Sequence, residues 1–389
     1  MDVFRKKARF IPGTLLVCGT CVGAGMLGIP VVTGPAGWIP ALSVNAATFL
    51  LMLLTGLLFM EATLWMPDQS NLISISNKIL GKWGKWISGF FFLFLYYCLM
   101  VAYVSGGAPL LEGFPYPYIL FSTFFGLMIF FGARFVGRVN TLLMVGFVIS
   151  YLLLIGAATP QIHTQYLMRS NFWLSLFAAP TLMSAFGFHN IIPTLSTYLS
   201  RDRKLITITI ISGATLSFII YSLWLWVILG SIPESALNEA VENGTPITQT
   251  LQSMTSNTWI STLSLAFAFF ALVTSLLGVS LSMCDFLADA LSWKRDGFRR
   301  FILCVIIFVP PTILAKLYPH IFMDALGIAG GIGEAILNSL IPIALIWVGK
   351  YNKKLKISNH WLTSKSVLSL LALITLSIMG IELYLLIST

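Results

Sequence analysis

Apolar residues along this chain come in long runs, separated by short polar and basic stretches. A helix needs roughly 20 apolar residues to cross a ~30 Å hydrocarbon core. Eleven such runs lie near residues 11–33, 38–65, 86–106, 115–133, 139–159, 171–198, 205–230, 257–291, 299–317, 321–347 and 366–387. They are numbered spans 1 to 11 in that order. The pattern predicts an all-α polytopic membrane protein with eleven transmembrane helices. Span 1 follows a basic start, and no small-residue cleavage site follows it, so it reads as a retained helix.

Composition sharpens this. Of the 389 residues 57% are hydrophobic and 10% charged, against roughly 45–50% and 25% in soluble domains. So few charges cannot cover a soluble surface of this size. The net charge of +9 raises nucleic acid as a partner, but the basic residues sit in short loops, which is a topology signal. Twenty-one of the 23 Lys and Arg fall near 5–9, 78–85, 134–138, 201–204, 294–300 and 350–365. One side of the membrane takes all six groups if the chain crosses eleven times. The positive-inside rule puts that side, and the N-terminus, in the cytoplasm and the C-terminus outside. Only Arg169 and Lys316 fall on the far side. The five cysteines lie in apolar segments and imply no disulfide framework.

Spans 1 and 6 are interrupted near their middles. Span 1 carries Gly23-Ala24-Gly25-Met26-Leu27-Gly28 before Ile29-Pro30, and span 6 carries Phe186-Gly187-Phe188-His189-Asn190 before Ile191-Ile192-Pro193. At 1.5 Å per residue, Gly23 lies ~18 Å and Gly187 ~24 Å along their runs. The two spans are five apart, so they cross in opposite directions. This is the pattern of an inverted five-plus-five repeat with broken helices. Polar stretches of helical character, Asp68 to Lys85 and Ser231 to Asn257, occupy equivalent places in the two halves. The repeats are residues 1–159 and 171–347; residues 348–389 supply a loop and an additional helix. Packing is the plainer reading of a single glycine cluster, Gly19-x-x-x-Gly23 included. Two central breaks, each followed by Pro, favour a binding site.

Two motifs mislead. Gly-x-Gly-x-x-Gly over residues 23–28 matches a dinucleotide fingerprint but sits inside a membrane span, with no strand before it. Cys18 and Cys21 have no second pair to complete a zinc site. There is no Ser-His-Asp arrangement, and His163, His320 and His360 sit in or beside loops. An enzyme, a metal site and a cofactor are therefore not expected. A channel would need a continuous polar lining.

An unwound segment frees backbone N–H and C=O groups, which must find partners in lipid. The outer half of span 1, starting at Gly23, Ala24 and Gly25, offers N–H groups to a carboxylate. The first half of span 6, ending before Phe186 and Gly187, offers carbonyls to an ammonium. A free α-amino acid satisfies both. Tyr97, Tyr103, Phe186 and Phe188 can line an aromatic-tolerant pocket, although most aromatics in such a chain face lipid or pack helices. His189, ionisable near the membrane centre, is a candidate proton carrier, substrate contact or hinge lock. Glu334, ~20 Å along span 10, can carry a coupling proton or bond to Asn338. Thr274 and Ser275 can offer hydroxyls to sodium, or bond to their own helix. Glu61 reads as a lock between helices.

The run Gly19 to Pro30 resembles the first helix of the hydroxy and aromatic amino acid permeases. Phe186-Gly187-Phe188-His189-Asn190-Ile191-Ile192-Pro193-Thr194-Leu195 resembles that family's sixth helix. Residues 102–107, 271–279 and 285–289 are similar to its tyrosine and tryptophan permease branch. Glu334 lies outside these motifs. The resemblance implies the amino acid–polyamine–organocation superfamily and a leucine-transporter-like fold. It implies a monomer in the bacterial inner membrane that imports an aromatic L-amino acid, tyrosine first, with tryptophan or phenylalanine as alternatives. A proton gradient would drive uptake, working on Gly23 to Gly25 and Phe186 to His189. Sodium-coupled symport of a neutral amino acid and a transport-inactive nutrient sensor are the alternatives. Lipid is the expected surroundings, and nucleic acid is not a partner.

Overall fold

A computed structural model describes residues 2–68, 70–254, 257–294, 296–357 and 361–388, with side chains from residue 9 onward. Arg295 and His360 lie outside the described residues. Among those described, every regular element is a helix. In chain order these are α1 (Asp2–Cys21), α2 (Gly25–Thr33), α3 (Trp38–Leu64), α4 (Leu72–Gly107), α5 (Pro117–Phe131), α6 (Ala133–Ala158), α7 (Thr164–Leu167), α8 (Phe172–Leu176), α9 (Ala179–Ala185), α10 (Ile192–Tyr198), α11 (Arg203–Ser231), α12 (Glu234–Glu242), α13 (Ile247–Met254), α14 (Thr258–Ala290), α15 (Gly297–Leu317) and α16 (Phe322–Ile328). A π-helical stretch, Ala329–Leu340, joins α16 to α17 (Ile341–Trp347), and α18 (Lys365–Ser388) closes the chain.

Eight of the described helices are long and apolar enough to cross a membrane, or nine if α1 and α2, bent by 57°, count as one span. The chain is a polytopic membrane protein. Side chains such as Leu142, Leu152, Phe124 and Leu373 stand exposed on its outer surface, as a lipid-facing surface requires.

Local signals set the helix ends. At the start of α4, Asn71 Oδ1 accepts from Ser74 N–H while Ser74 Oγ accepts from Asn71 N–H, both at 2.9 Å. This reciprocal cap satisfies two orphan donors. Gly81, at φ 80° and ψ −165°, then divides the amphipathic start of α4 from its apolar body. Asp202 caps α11 through Leu205 N–H at 3.2 Å. One expectation is corrected: Arg134 and Arg138 are not in a loop between spans 4 and 5. The lone residue Gly132, at φ 105°, makes the turn, so both arginines belong to α6.

Contacts between loops sort the helix ends into two groups. At one end Arg9 donates to Ser200 Oγ at 2.7 Å, Arg201 to the carbonyls of Leu64 and Met66 at 3.1 and 2.7 Å, and Trp65 to Lys356 O at 2.7 Å. Lys353 reaches Lys78 O at 2.7 Å. Buried Glu61 on α3 pairs with Arg203 on α11, the lock between helices read from sequence. At the other end Asn171 N–H donates to Ala36 O and His163 N–H to Gly230 O, both at 2.8 Å. Ser105 bonds Pro319 O there at 2.9 Å. Arg169, one of the two basic residues outside the six basic groups, braces this end. It donates to Tyr166 O at 3.0 Å and pairs with Glu234 at 4.0 Å. Burial draws its guanidinium below the ordinary arginine range, and Glu234 opposes that.

Candidate substrate site between two broken helices

α1 stops at Cys21 and α2 starts at Gly25; α9 stops at Ala185 and α10 starts at Ile192 after a short 3₁₀ turn, His189–Ile191. Pro193 falls in the first turn of α10, where it costs no helical hydrogen bond. The two breaks touch. A Cβ added to Gly25 would lie 3.1 Å from Ala185 Cα and 3.2 Å from Ala185 Cβ. Only a residue without a side chain lets the backbones meet so closely.

A cavity of about 400 Å³ opens beside this contact. Gly23, Ala24, Gly25, Tyr103, Gly187, Thr274, Ser275 and Glu334 all line it. Its wall continues through Leu15, Leu16, Asn140 and Ser282, displaced toward the end of the bundle that carries Arg9. On the opposite side Leu326 and Met323 pack on Gly28, and Phe322 packs on Gly106.

The free backbone groups fall where the breaks are. Ala24 N–H donates to Ser275 Oγ at 3.0 Å. The N–H groups of Gly23 and Gly25 find no acceptor among the described residues, and the Ser184 carbonyl finds no donor. Glu334 projects from the π-helical stretch against Gly187 and accepts a hydrogen bond from Asn338 Nδ2. The α14 hydroxyls are engaged. Thr274 Oγ1 donates back to Phe270 O at 2.8 Å, and Ser275 holds Ala24.

Four expected residues stand off the cavity wall. Phe186 is buried edge-on against Tyr221, ring centroids 5.1 Å apart. Phe188 stacks on His189 at 4.9 Å, and both rings lie against Gly56 of α3. His189 Nε2 lies 3.1 Å from Thr55 Oγ1, while its Nδ1 is buried without a partner among the described residues. Tyr97 turns outward and donates to Ile306 O on α15 at 2.8 Å. Three residues not singled out as site residues from the sequence take their places, Tyr96, Asn190 and Ser282, beside Asn338, the expected partner of Glu334. Asn190 Nδ2 donates to Tyr96 Oη at 3.0 Å. Helical spacing could have found two of the three: Tyr96 is two turns from Tyr103 and Ser282 two turns from Ser275.

An apolar bundle enclosing a cavity where two broken helices leave backbone groups free is the build of a membrane permease. The sequence profile of the tryptophan/tyrosine permease family matches residues 6–382, and the chain belongs to that family. It is a permease and not an enzyme. It is 30% identical to a tryptophan-specific transport protein of Pseudomonas aeruginosa over 87% of this chain and 85% of that protein. It is 28% identical to tyrosine-specific transport system 1 of Haemophilus influenzae, over 87% of each. Identity to the low affinity tryptophan permease of Escherichia coli is 26%, over 88% of each.

Proposed function

We propose that the chain imports an aromatic amino acid, tyrosine or tryptophan, across a bacterial inner membrane by proton-coupled symport with alternating access. The observation that carries this is the meeting of the two breaks. Gly25 lies on Ala185, and among the described residues the N–H groups of Gly23 and Gly25 and the carbonyl of Ser184 have no partner. One α-carboxylate and one α-ammonium match those groups in charge. Tyr96 and Asn190 form a polar pair in a wall otherwise rich in Leu95, Leu99, Ile191 and Val279. That wall suits a ring with a polar tip, a phenol or an indole. The relatives named above as tryptophan and tyrosine transporters support the same substrate class.

The reading includes eleven spans in an inverted five-plus-five repeat, residues 1–159 and 171–347, with α18 outside it. The two groups of loop contacts support alternating crossings at spans 1, 2, 3, 6, 7 and 10, each of which joins one group to the other. The basic groups then lie on the cytoplasmic side, and the cavity extends toward that side. We take Glu334 as the proton carrier. Sodium coupling is the weaker alternative, because the Thr274 and Ser275 hydroxyls already serve backbone groups.

A competition experiment on the purified protein tests substrate class. Unlabelled tyrosine and tryptophan should each displace a bound radiolabelled aromatic amino acid, while lysine and glutamate do not. Absence of saturable binding of tyrosine, tryptophan and phenylalanine would overturn the reading.

A further inference from the structure

α11 carries two buried polar aromatics three residues apart, Tyr221 and Trp224. Neither lines the cavity, yet both bond to the backbone that frames it. Tyr221 Oη lies 2.6 Å from Cys21 O and 2.8 Å from Ala185 O. Trp224 Nε1 donates to Met26 O at 2.9 Å. Cys21 is the last residue of α1, Met26 the second of α2 and Ala185 the last of α9. One face of one helix therefore grips both sides of the first break and the end of the second.

Carbonyls at an unwound helix end need donors, and no bulk water supplies them in a bilayer. The tyrosine hydroxyl has one proton for two acceptors. It can hold both carbonyls only while the ends of α1 and α9 stay side by side. An ångström of separation would give the proton to one carbonyl and leave the other bare. The hydroxyl thus fixes the spacing between the two breaks. That spacing is also the one between the N–H groups of Gly23 and Gly25 and the carbonyl of Ser184.

Resting on the aromatic amino acid reading above, we propose that Tyr221 and Trp224 are positioning residues. They set the distance between the carboxylate and ammonium subsites, and so select α-amino acids over analogues with a longer amine-to-carboxylate spacing. Substrate reaches neither side chain; both act through backbone.

The test measures binding of radiolabelled tyrosine or tryptophan to the purified full-length protein, and its displacement by the matching α- and β-amino acids. Tyr221→Phe keeps the ring packed on Phe186 and removes only the hydroxyl. Its Kd should rise about tenfold, and the preference for the α- over the β-amino acid should fall at least threefold. Trp224→Phe should move both in the same direction by less. A merely structural role would lower the yield of folded protein or weaken both ligands equally. Should Tyr221→Phe not fold, Trp224→Phe decides alone. An unchanged α-to-β ratio in the folded variants overturns the proposal. If the wild type binds no aromatic amino acid, it is the functional reading that fails instead.

Discussion

Glu334→Gln should abolish proton-driven accumulation of the aromatic amino acid while exchange of internal for external substrate continues. The carboxyl lies 4% exposed between spans, on the cavity wall against Gly187, with Asn338 as its hydrogen-bond donor. An ionisable group inside a membrane is costly to keep and marks a functional role. Glutamine preserves the shape and an acceptor for Asn338, but it cannot take up and release a proton. Exchange needs only the loaded carrier to reorient, so it does not need that proton. Two assays on the same proteoliposomes separate the steps: accumulation under an imposed inward proton gradient, and counterflow with no gradient. Undiminished accumulation in Glu334→Gln would remove the residue from the coupling step.

Gly25→Val should eliminate saturable substrate binding, a loss of at least a hundredfold in affinity. A Cβ at this position meets the backbone and Cβ of Ala185, and valine adds two further methyl groups there. Backbone cannot swing aside as a long side chain can, so the breaks must separate. Separation of the two half-helices parts the carboxylate and ammonium subsites. It also strips one carbonyl from Tyr221. Gly156→Ala, on α6 with no atom within 4 Å of the added Cβ, serves as the neutral control. Binding isotherms on both purified variants check this, and a Gly25→Val protein that binds within threefold of the wild type would contradict it.

The long apolar runs made the helices readable. Spans 2, 9 and 11, expected at 38–65, 299–317 and 366–387, are Trp38–Leu64, Gly297–Leu317 and Lys365–Ser388. Hydrophobic thickness fixes such lengths, so composition alone locates them. The breaks were readable because Gly and Pro interrupt otherwise continuous apolar runs. The π-helical stretch over Ala329–Leu340 left no such mark. Its glycines lie against other elements, Gly330 on the Pro180 carbonyl and Gly333 on Leu95, which is tertiary information. The same limit explains Phe186, Phe188 and His189. They sit in a segment with no helical period, so sequence could not say which way each side chain turns. Two turned toward α3 and one toward α11. Nothing in the sequence sets Tyr221 and Trp224 apart from the other aromatics, because their partners are backbone carbonyls of other elements.

The central claim is driven uptake of an aromatic amino acid. It is tested most directly by radiolabelled tyrosine and tryptophan in proteoliposomes holding the purified wild-type protein, with an imposed inward proton gradient and no sodium. The expected result is accumulation of at least one of them above the external concentration, abolished by a protonophore. Mere equilibration of every aromatic amino acid, or accumulation only under a sodium gradient, would contradict the account.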